Sequence, residues 1–168
     1  SIVGLVFSPD GKFITTSKGV YNLETNRHVN SLTGSAFSPD GKLLASTSGK
    51  VYNLETGSTA FDFGGGKSVA FSPDGEYLAI GGEKRGVNYN RSNGNYEYYV
   101  SINSYNRKTG ERINNLGSSQ TVYDIAYSPD GKYLAASWGS INIVELSTGE
   151  VVRSYDKGSN GTFSPDGK

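Results

Sequence analysis

The chain holds 168 residues, with 16 basic and 16 acidic side chains and a formal net charge of zero. That length suits one domain, and the charge balance argues against a dedicated nucleic-acid or anionic-membrane surface, which needs clustered Lys and Arg. Cysteine is absent and histidine occurs once, which excludes disulfides, Cys-ligated zinc and Cys-His nucleophiles within the chain. No apolar run approaches the roughly 18 residues of a membrane-spanning helix. The N-terminal Ser1-Ile2-Val3-Gly4 has no features of a signal peptide. With no methionine anywhere, the sequence is expected to be processed, excised or partial. Hydrophobic content is 35%, with 23 Gly, 12 Tyr and 7 Phe, a mixture that suits short strands, frequent turns and aromatic packing.

In chain order, the first apolar stretch, Val3 to Phe7, runs into Ser8-Pro9-Asp10-Gly11-Lys12. Pro presets the first corner of a type I turn, Asp tolerates the second, and Gly takes the left-handed conformation that reverses the chain. A second strand is expected over Phe13-Ile14-Thr15 and a third ending in Val20-Tyr21-Asn22-Leu23-Glu24-Thr25. The fourth is expected at Arg27-His28-Val29. The same hexapeptide returns at Phe37 to Lys42, Phe71 to Glu76, Tyr127 to Lys132 and Phe163 to Lys168, in steps of 30, 34, 56 and 36 residues. After each of the next three turns comes a large, large, small triplet: Leu43-Leu44-Ala45, Tyr77-Leu78-Ala79 and Tyr133-Leu134-Ala135. The small third residue lets neighbouring sheets approach closely. Third strands follow at Val51-Tyr52-Asn53, Ile102 to Asn106 and Ile141 to Leu146. Fourth strands follow at Thr59-Ala60-Phe61, Arg112-Ile113 and Val151-Val152-Arg153. Four antiparallel strands per repeat predict blade-like sheets at about 1–30, 31–64, 65–117 and 118–157, with a partial fifth at 158–168. No segment carries a sustained helical period.

The third repeat is longer than the others, and its excess lies between Gly81 and Ser101. Asn93-Gly94 between Tyr-rich flanks predicts a hairpin there. Three readings stand beside one another. Lys84, Arg85, Tyr89, Arg91, Tyr96 and Tyr98 could form a binding finger, since Arg and aromatics are favoured where partners dock. The hairpin could instead be structural, its tyrosines covering neighbours. Or Val87-Asn88-Tyr89-Asn90 could start a degenerate extra blade. Trp138, the only tryptophan, is expected at the same end of the next repeat, with Tyr123 nearby; both an interface role and a packed role are open to it.

Catalytic chemistry is hard to assemble. Five of eight Asp residues sit in the hexapeptides, and Asp62, Asp124 and Asp156 form no carboxylate pair of recognisable spacing. A Ser-His-Asp triad would need His28, which has no nucleophile-elbow sequence near any serine. Gly64-Gly65-Gly66-Lys67 lacks Walker spacing and a following helix, and reads as a turn between sheets. No metal or cofactor is expected.

Taken together, the Ser-Pro-Asp-Gly turn, the strand after it, the aromatic-polar pair closing the third strand and the Thr-Gly turn resemble the WD-repeat family. The resemblance covers essentially the whole chain. It implies an all-β propeller of four-stranded antiparallel blades: four blades and a partial fifth, within a larger or oligomer-completed ring. Repeats in that family run about 40–45 residues, so the short steps imply tight hairpins or absent residues. Tyr-Asn at 21–22, 52–53 and 105–106 stands where the family usually has Trp-Asp, and Val144-Glu145 fills the place in the fourth repeat. No Gly-His pair precedes a repeat, so the family's Asp-His-Ser/Thr-Trp network does not carry over. The resemblance implies a non-catalytic scaffold for protein partners, with no nucleic acid among them. The alternatives are a self-assembling β protein joined through open blade edges, and a propeller domain of a larger enzyme.

Overall fold

A computed structural model of the chain describes residues 5–82, 87–90, 95–98, 100–118, 121–156, 158 and 161–167. Nearly every connection within a repeat is a short turn, so each strand pairs with the strand before it. The first sheet contains β1 (Val6–Phe7), β2 (Phe13–Thr16), β3 (Gly19–Asn22) and β4 (Arg27–Asn30). The second contains β5 (Ala36–Phe37), β6 (Leu43–Ala45), β7 (Lys50–Asn53) and β8 (Thr59–Asp62). The third is interrupted: after β9 (Ser68–Phe71) and β10 (Tyr77–Gly81), the chain makes a separate ribbon of β11 (Val87–Asn90) and β12 (Asn95–Tyr98). It then returns as β13 (Val100–Asn106) and β14 (Arg112–Ser118). The fourth sheet contains β15 (Asp124–Tyr127), β16 (Tyr133–Ser137), β17 (Ser140–Glu145) and β18 (Val151–Asp156). Each four-stranded sheet is antiparallel in chain order, and no helix occurs among the described residues. This is the all-β, open array of blades that the repeat predicts.

The recurring turn explains why the repeats fold alike. Gly11, Gly41, Gly75, Gly131 and Gly167 all have φ between 68° and 73°, the left-handed region that only glycine enters without strain. The serine does more than the sequence reading credited it with. In the second repeat the Ser38 hydroxyl donates to Asp40 Oδ1 (2.5 Å) and accepts from the Leu43 amide (2.9 Å). Asp40 Oδ1 also accepts from the Lys42 amide (3.1 Å). Ser8, Ser72 and Ser128 repeat this arrangement with Asp10, Asp74 and Asp130. The turn is thus a small polar core that places the first and second strands in register.

The Tyr-Asn pair has a similar local logic. A register shift precedes Tyr21, Tyr52 and Tyr105, and Val144 in the fourth sheet. The following Asn then caps the turn into the last strand: Asn53 Oδ1 accepts from the Glu55 and Thr56 amides, and Asn106 Oδ1 from those of Lys108 and Thr109. Asn thereby does the work of an Asx turn.

Three seams hold the sheets to one another. Each sheet has a front, facing the next sheet, and a back, facing the previous one. Val20 meets Phe37 and Leu44 in the first seam. Leu43, Ala45 and Val51 meet Val69, Leu78 and Ile80 in the second. Ala79 and Ile102 meet Val122, Ile125, Leu134 and Ala136 in the third. The small residue of the triplet lies on the front, fully buried as Ala45 and Ala79, and this allows the close approach.

Candidate functional site

Antiparallel order sends alternate connections to opposite ends of each sheet. One end carries the Ser-Pro-Asp-Gly turns and the third-to-fourth strand turns. The other carries the second-to-third strand connections and the links between sheets; here it is called the loop end. At the second sheet the loop end is closed tightly by glycine. The Phe63 amide donates to Gly49 O (3.0 Å), Gly66 to Thr47 O (2.8 Å) and Lys67 to Gly81 O (2.6 Å). A Cβ on Gly49 would lie 1.8 Å from Gly64 O. Gly64 to Lys67 is therefore a link between sheets, as expected, with the Gly66 and Lys67 amides used by neighbouring backbone and the Gly64 amide by the Asp62 carboxylate.

At the third sheet the loop end opens into the β11–β12 ribbon. Its pairs are Val87 with Tyr98, Asn88 with Glu97, Tyr89 with Tyr96 and Asn90 with Asn95. Strand alternation places positions 87, 89, 96 and 98 on one face and 88, 90, 95 and 97 on the other. β11 and β12 form a two-stranded sheet of their own, and the four-strand repeat resumes at β13 beside β10. Lys84, Arg85 and Arg91 lie outside the described residues.

The fourth sheet adds two aromatics at the same end. The Tyr123 amide donates to Ser137 O (2.9 Å) and the Trp138 amide to Ser140 O (3.0 Å), so both flank the Asp124–Ser137 pair. Tyr123 is 61% exposed. Trp138 is half-buried and packs against the third seam. Beneath them, the Ser68 hydroxyl donates to Asp124 Oδ1 (3.2 Å), and the Ile125 amide donates to Ser68 Oγ (3.1 Å) and Asp124 Oδ1 (3.0 Å). This bridge ties the third and fourth sheets together at the loop end. Sequence reading missed Ser68, because its partner lies 56 residues away.

The acidic side chains at the turn end are occupied structurally. The Ser8 hydroxyl and Lys12 amide hold Asp10 below the ordinary carboxylate range, and Ser128 and Lys132 do the same for Asp130. Ser38 lowers Asp40, helped by the Lys42 amide and by Arg107, whose Nη1 lies 3.9 Å from Asp40 Oδ2. At Asp74, burial acts to raise the value, but the Ser72 and Glu76 hydrogen bonds prevail. A cleft of about 310 Å³ opens beside these turns between the third and fourth sheets. Burial pushes the Tyr127 phenol there up to about 12, opposed by its 2.9 Å hydrogen bond with Ser104, so it stays protonated at neutral pH. His28 stands edge-on to Tyr21 at 5.1 Å. Among the described residues, no group of three His, Cys, Asp or Glu side chains is placed to hold a metal ion. Nor is any helix among them long and apolar enough to cross a membrane.

Known proteins place this architecture. Among solved structures, Kuenenia stuttgartiensis hydrazine synthase superposes with a TM-score of 0.74 at 17% identity, covering 99% of this chain and 53% of that one. The chain thus spans about half the length of that protein, and the likeness is one of fold alone. No curated protein matches by sequence. The family model described as WD domain, G-beta repeat, matches residues 19–51. That for the anaphase-promoting complex subunit 4 WD40 domain matches residues 69–163. Such domains generally mediate protein–protein interaction and are typically without catalysis of their own. With more than half its length under one such model, and the turn, the strand order and the sheet array all agreeing, the chain belongs to the WD-repeat β-propeller family.

Proposed function

We propose that the chain is a non-catalytic scaffold that binds a protein partner at the loop end of its third and fourth sheets. The β11–β12 ribbon would be the projecting element and Tyr123 the adjoining anchor. The observation that carries this reading is the ribbon itself. It is the one long insertion that the sequence carries among its four repeats, and its register pairs Val87 with Tyr98 and Tyr89 with Tyr96. A two-stranded ribbon is marginal alone, so a Tyr-rich one gains by docking against a partner. Tyr123, exposed at the same end, belongs to the residue types that concentrate binding energy. The turns at the opposite end, by contrast, have their serines and aspartates engaged internally.

The test uses a photo-crosslinking phenylalanine analogue at Tyr123, and separately at Glu24 on the opposite end, in the native source. The expected result is a discrete protein adduct from position 123 and none from position 24. That adduct should disappear when residues 83–99 are replaced by an Asn-Gly turn, while the circular dichroism spectrum and melting temperature are retained. Equal adducts from both ends, or an adduct that survives loss of the ribbon in a folded variant, would overturn the proposal.

A further inference from the structure

The four repeats bring equivalent residues to the turn end, so a side chain that departs from its counterparts there can be judged against them. The residue that follows the third strand's last pair donates its amide to the last residue of the hexapeptide: Leu23 to Lys12 O, Leu54 to Lys42 O, Arg107 to Glu76 O and Leu146 to Lys132 O. Only the third repeat has a cation at this place. Arg107 reaches back across the second seam, its Nη1 3.9 Å from Asp40 Oδ2. Asp40 thus spends Oδ1 on its own turn and presents Oδ2 to a guanidinium from the next sheet. In the third seam the same two places are held by Asp74 and Leu146. Asp74 Oδ1 accepts from the Ser72 hydroxyl and the Glu76 amide, but no basic side chain among the described residues pairs with this carboxylate.

Two further departures meet in the same seam. The ladder partner of the triplet's third residue is Val20 in the first sheet and Val51 in the second, but Ser104 in the third. The first-strand partner of the triplet's second residue is Phe7, Phe37 and Phe71 in the first three sheets, but Tyr127 in the fourth. Ser104 is 6% exposed, and its hydroxyl meets that of Tyr127 at 2.9 Å. Hydroxyls buried where hydrocarbon packs in the other repeats are costly unless their oxygens are used, and one bond between the two leaves lone pairs on both. Both side chains line the cleft of about 310 Å³, together with Asp74, Asp130, Tyr77 and Leu146. Burial is the main cause that raises the Tyr127 phenol, and the charge of Asp74 adds to it, so carboxylate and phenol lie within electrostatic reach of each other.

We infer that this cleft binds the guanidinium of an arginine side chain from a partner polypeptide, which does for Asp74 what Arg107 does for Asp40. A guanidinium carries five N–H donors in a planar fork and no acceptor, which suits a cleft whose polar wall consists of carboxylate and hydroxyl oxygens. Two carboxylates repel an anion, and the one cation beside them, Lys132, lies 4.0 Å from Asp130 Oδ2 with its side chain largely exposed. The Tyr77 ring and Leu146 supply apolar surface for the arginine stem. The volume is at the small end for a ligand site and suits one long side chain. The site is distinct from the loop-end surface and does not rest on that reading.

The test is an NMR titration of the chain isotope-labelled at the amide nitrogens of its 12 tyrosines, with the Tyr77 and Tyr127 signals assigned from the Tyr77→Phe and Tyr127→Phe variants. The probe is N-acetyl-arginine N-methylamide, and the control is the citrulline analogue, alike in shape but uncharged. The expected result is a saturable shift of the Tyr77 and Tyr127 signals by the arginine probe, with citrulline at least about tenfold weaker. Asp74→Asn should weaken the arginine probe at least about tenfold. Leu146→Arg, which supplies from within the cation that Arg107 supplies to the second seam, should abolish its binding. Tyr127→Phe restores the residue type of the other repeats and so keeps the fold; read at Tyr77, it should weaken the probe about threefold. The remaining tyrosine signals report that each variant is folded. No saturable response, an equal response to citrulline, shifts that spare Tyr77 and Tyr127, or binding that Leu146→Arg leaves intact would each overturn the inference. None of these outcomes bears on crosslinking at the loop end.

Discussion

Replacing Ser38 by alanine removes one oxygen that serves two partners in the second turn. Its hydroxyl donates to the Asp40 carboxylate at 2.5 Å and accepts from the Leu43 amide at 2.9 Å, and the side chain is almost wholly buried. A hydrogen bond to a charged group contributes about 1.5–3 kcal/mol, and a buried donor left unpaired costs about 1–3 kcal/mol. The two penalties do not add fully: Asp40 is partly exposed and keeps the Lys42 amide, so water and backbone recover some of the loss. The expected net cost of Ser38→Ala is therefore about 2–3 kcal/mol, read as a lower urea midpoint at unchanged slope. In an Asp40→Ala background the same substitution should cost about 1–2 kcal/mol less, because the charged partner is already gone. Ser58→Ala, which removes only an exposed hydroxyl contact with Thr56, should stay within about 0.5 kcal/mol. A Ser38→Ala cost under about 0.5 kcal/mol would refute the view that serine organises the turn, leaving Pro and Gly to set it alone.

Three other outcomes follow from the same geometry. Gly49→Ala forces a Cβ to 1.8 Å from Gly64 O at φ +85° and should cost more than about 3 kcal/mol in thermal or urea melts. Gly57→Ala, at φ +70° but facing open space, should cost about 1 kcal/mol. Leu78→Ala empties the second seam and should cost about 2–5 kcal/mol. Ile14→Ala, at the equivalent but half-buried position of the first sheet, should cost clearly less in this 168-residue chain; equal losses would refute the seam assignment. The turn carboxylates give a pH dependence of known sign. Their folded values lie below the unfolded one of about 3.9, so their stabilisation is complete above about pH 4 and is lost as pH falls through the lowered values. Urea midpoints measured from pH 6 to pH 2 should fall mainly below pH 4. Asp40→Asn with Asp74→Asn should flatten that fall; a loss concentrated between pH 6 and 5 would contradict it.

The fold was legible because its instructions are local. Asp10, Gly11 and their repeats define a turn within four residues, and a turn of that kind leaves the flanking strands one partner each. The alternation of apolar residues then selects which face meets the next sheet. What the sequence concealed are features whose meaning lies across a seam. Ser68 looks like any strand serine until the fourth sheet brings Asp124 and the Ile125 amide to it. Trp138 could be read either way, because the exposure of an aromatic at a strand end is set by the neighbouring sheet and not by its own strand. The turn serine lay between these extremes: its recurrence in all five hexapeptides and its closeness to the aspartate were visible, but its second hydrogen bond comes from an amide five residues along that only the closed hairpin delivers.

This division between local and seam-borne information also explains why the proposed binding surface is the hardest part to read. In a repeat array, each sheet spends both faces on its neighbours and one end on polar turns that consume their own donors and acceptors. Only the loop end is released from those duties. There the constraint of the repeat lapses, and residues 82–99 can diverge without disturbing a seam, since β10 and β13 pair across Tyr77 to Gly81 whether or not a ribbon intervenes. The region where the repeat gives the least guidance is therefore the region where a partner can be accommodated at the least cost to the fold.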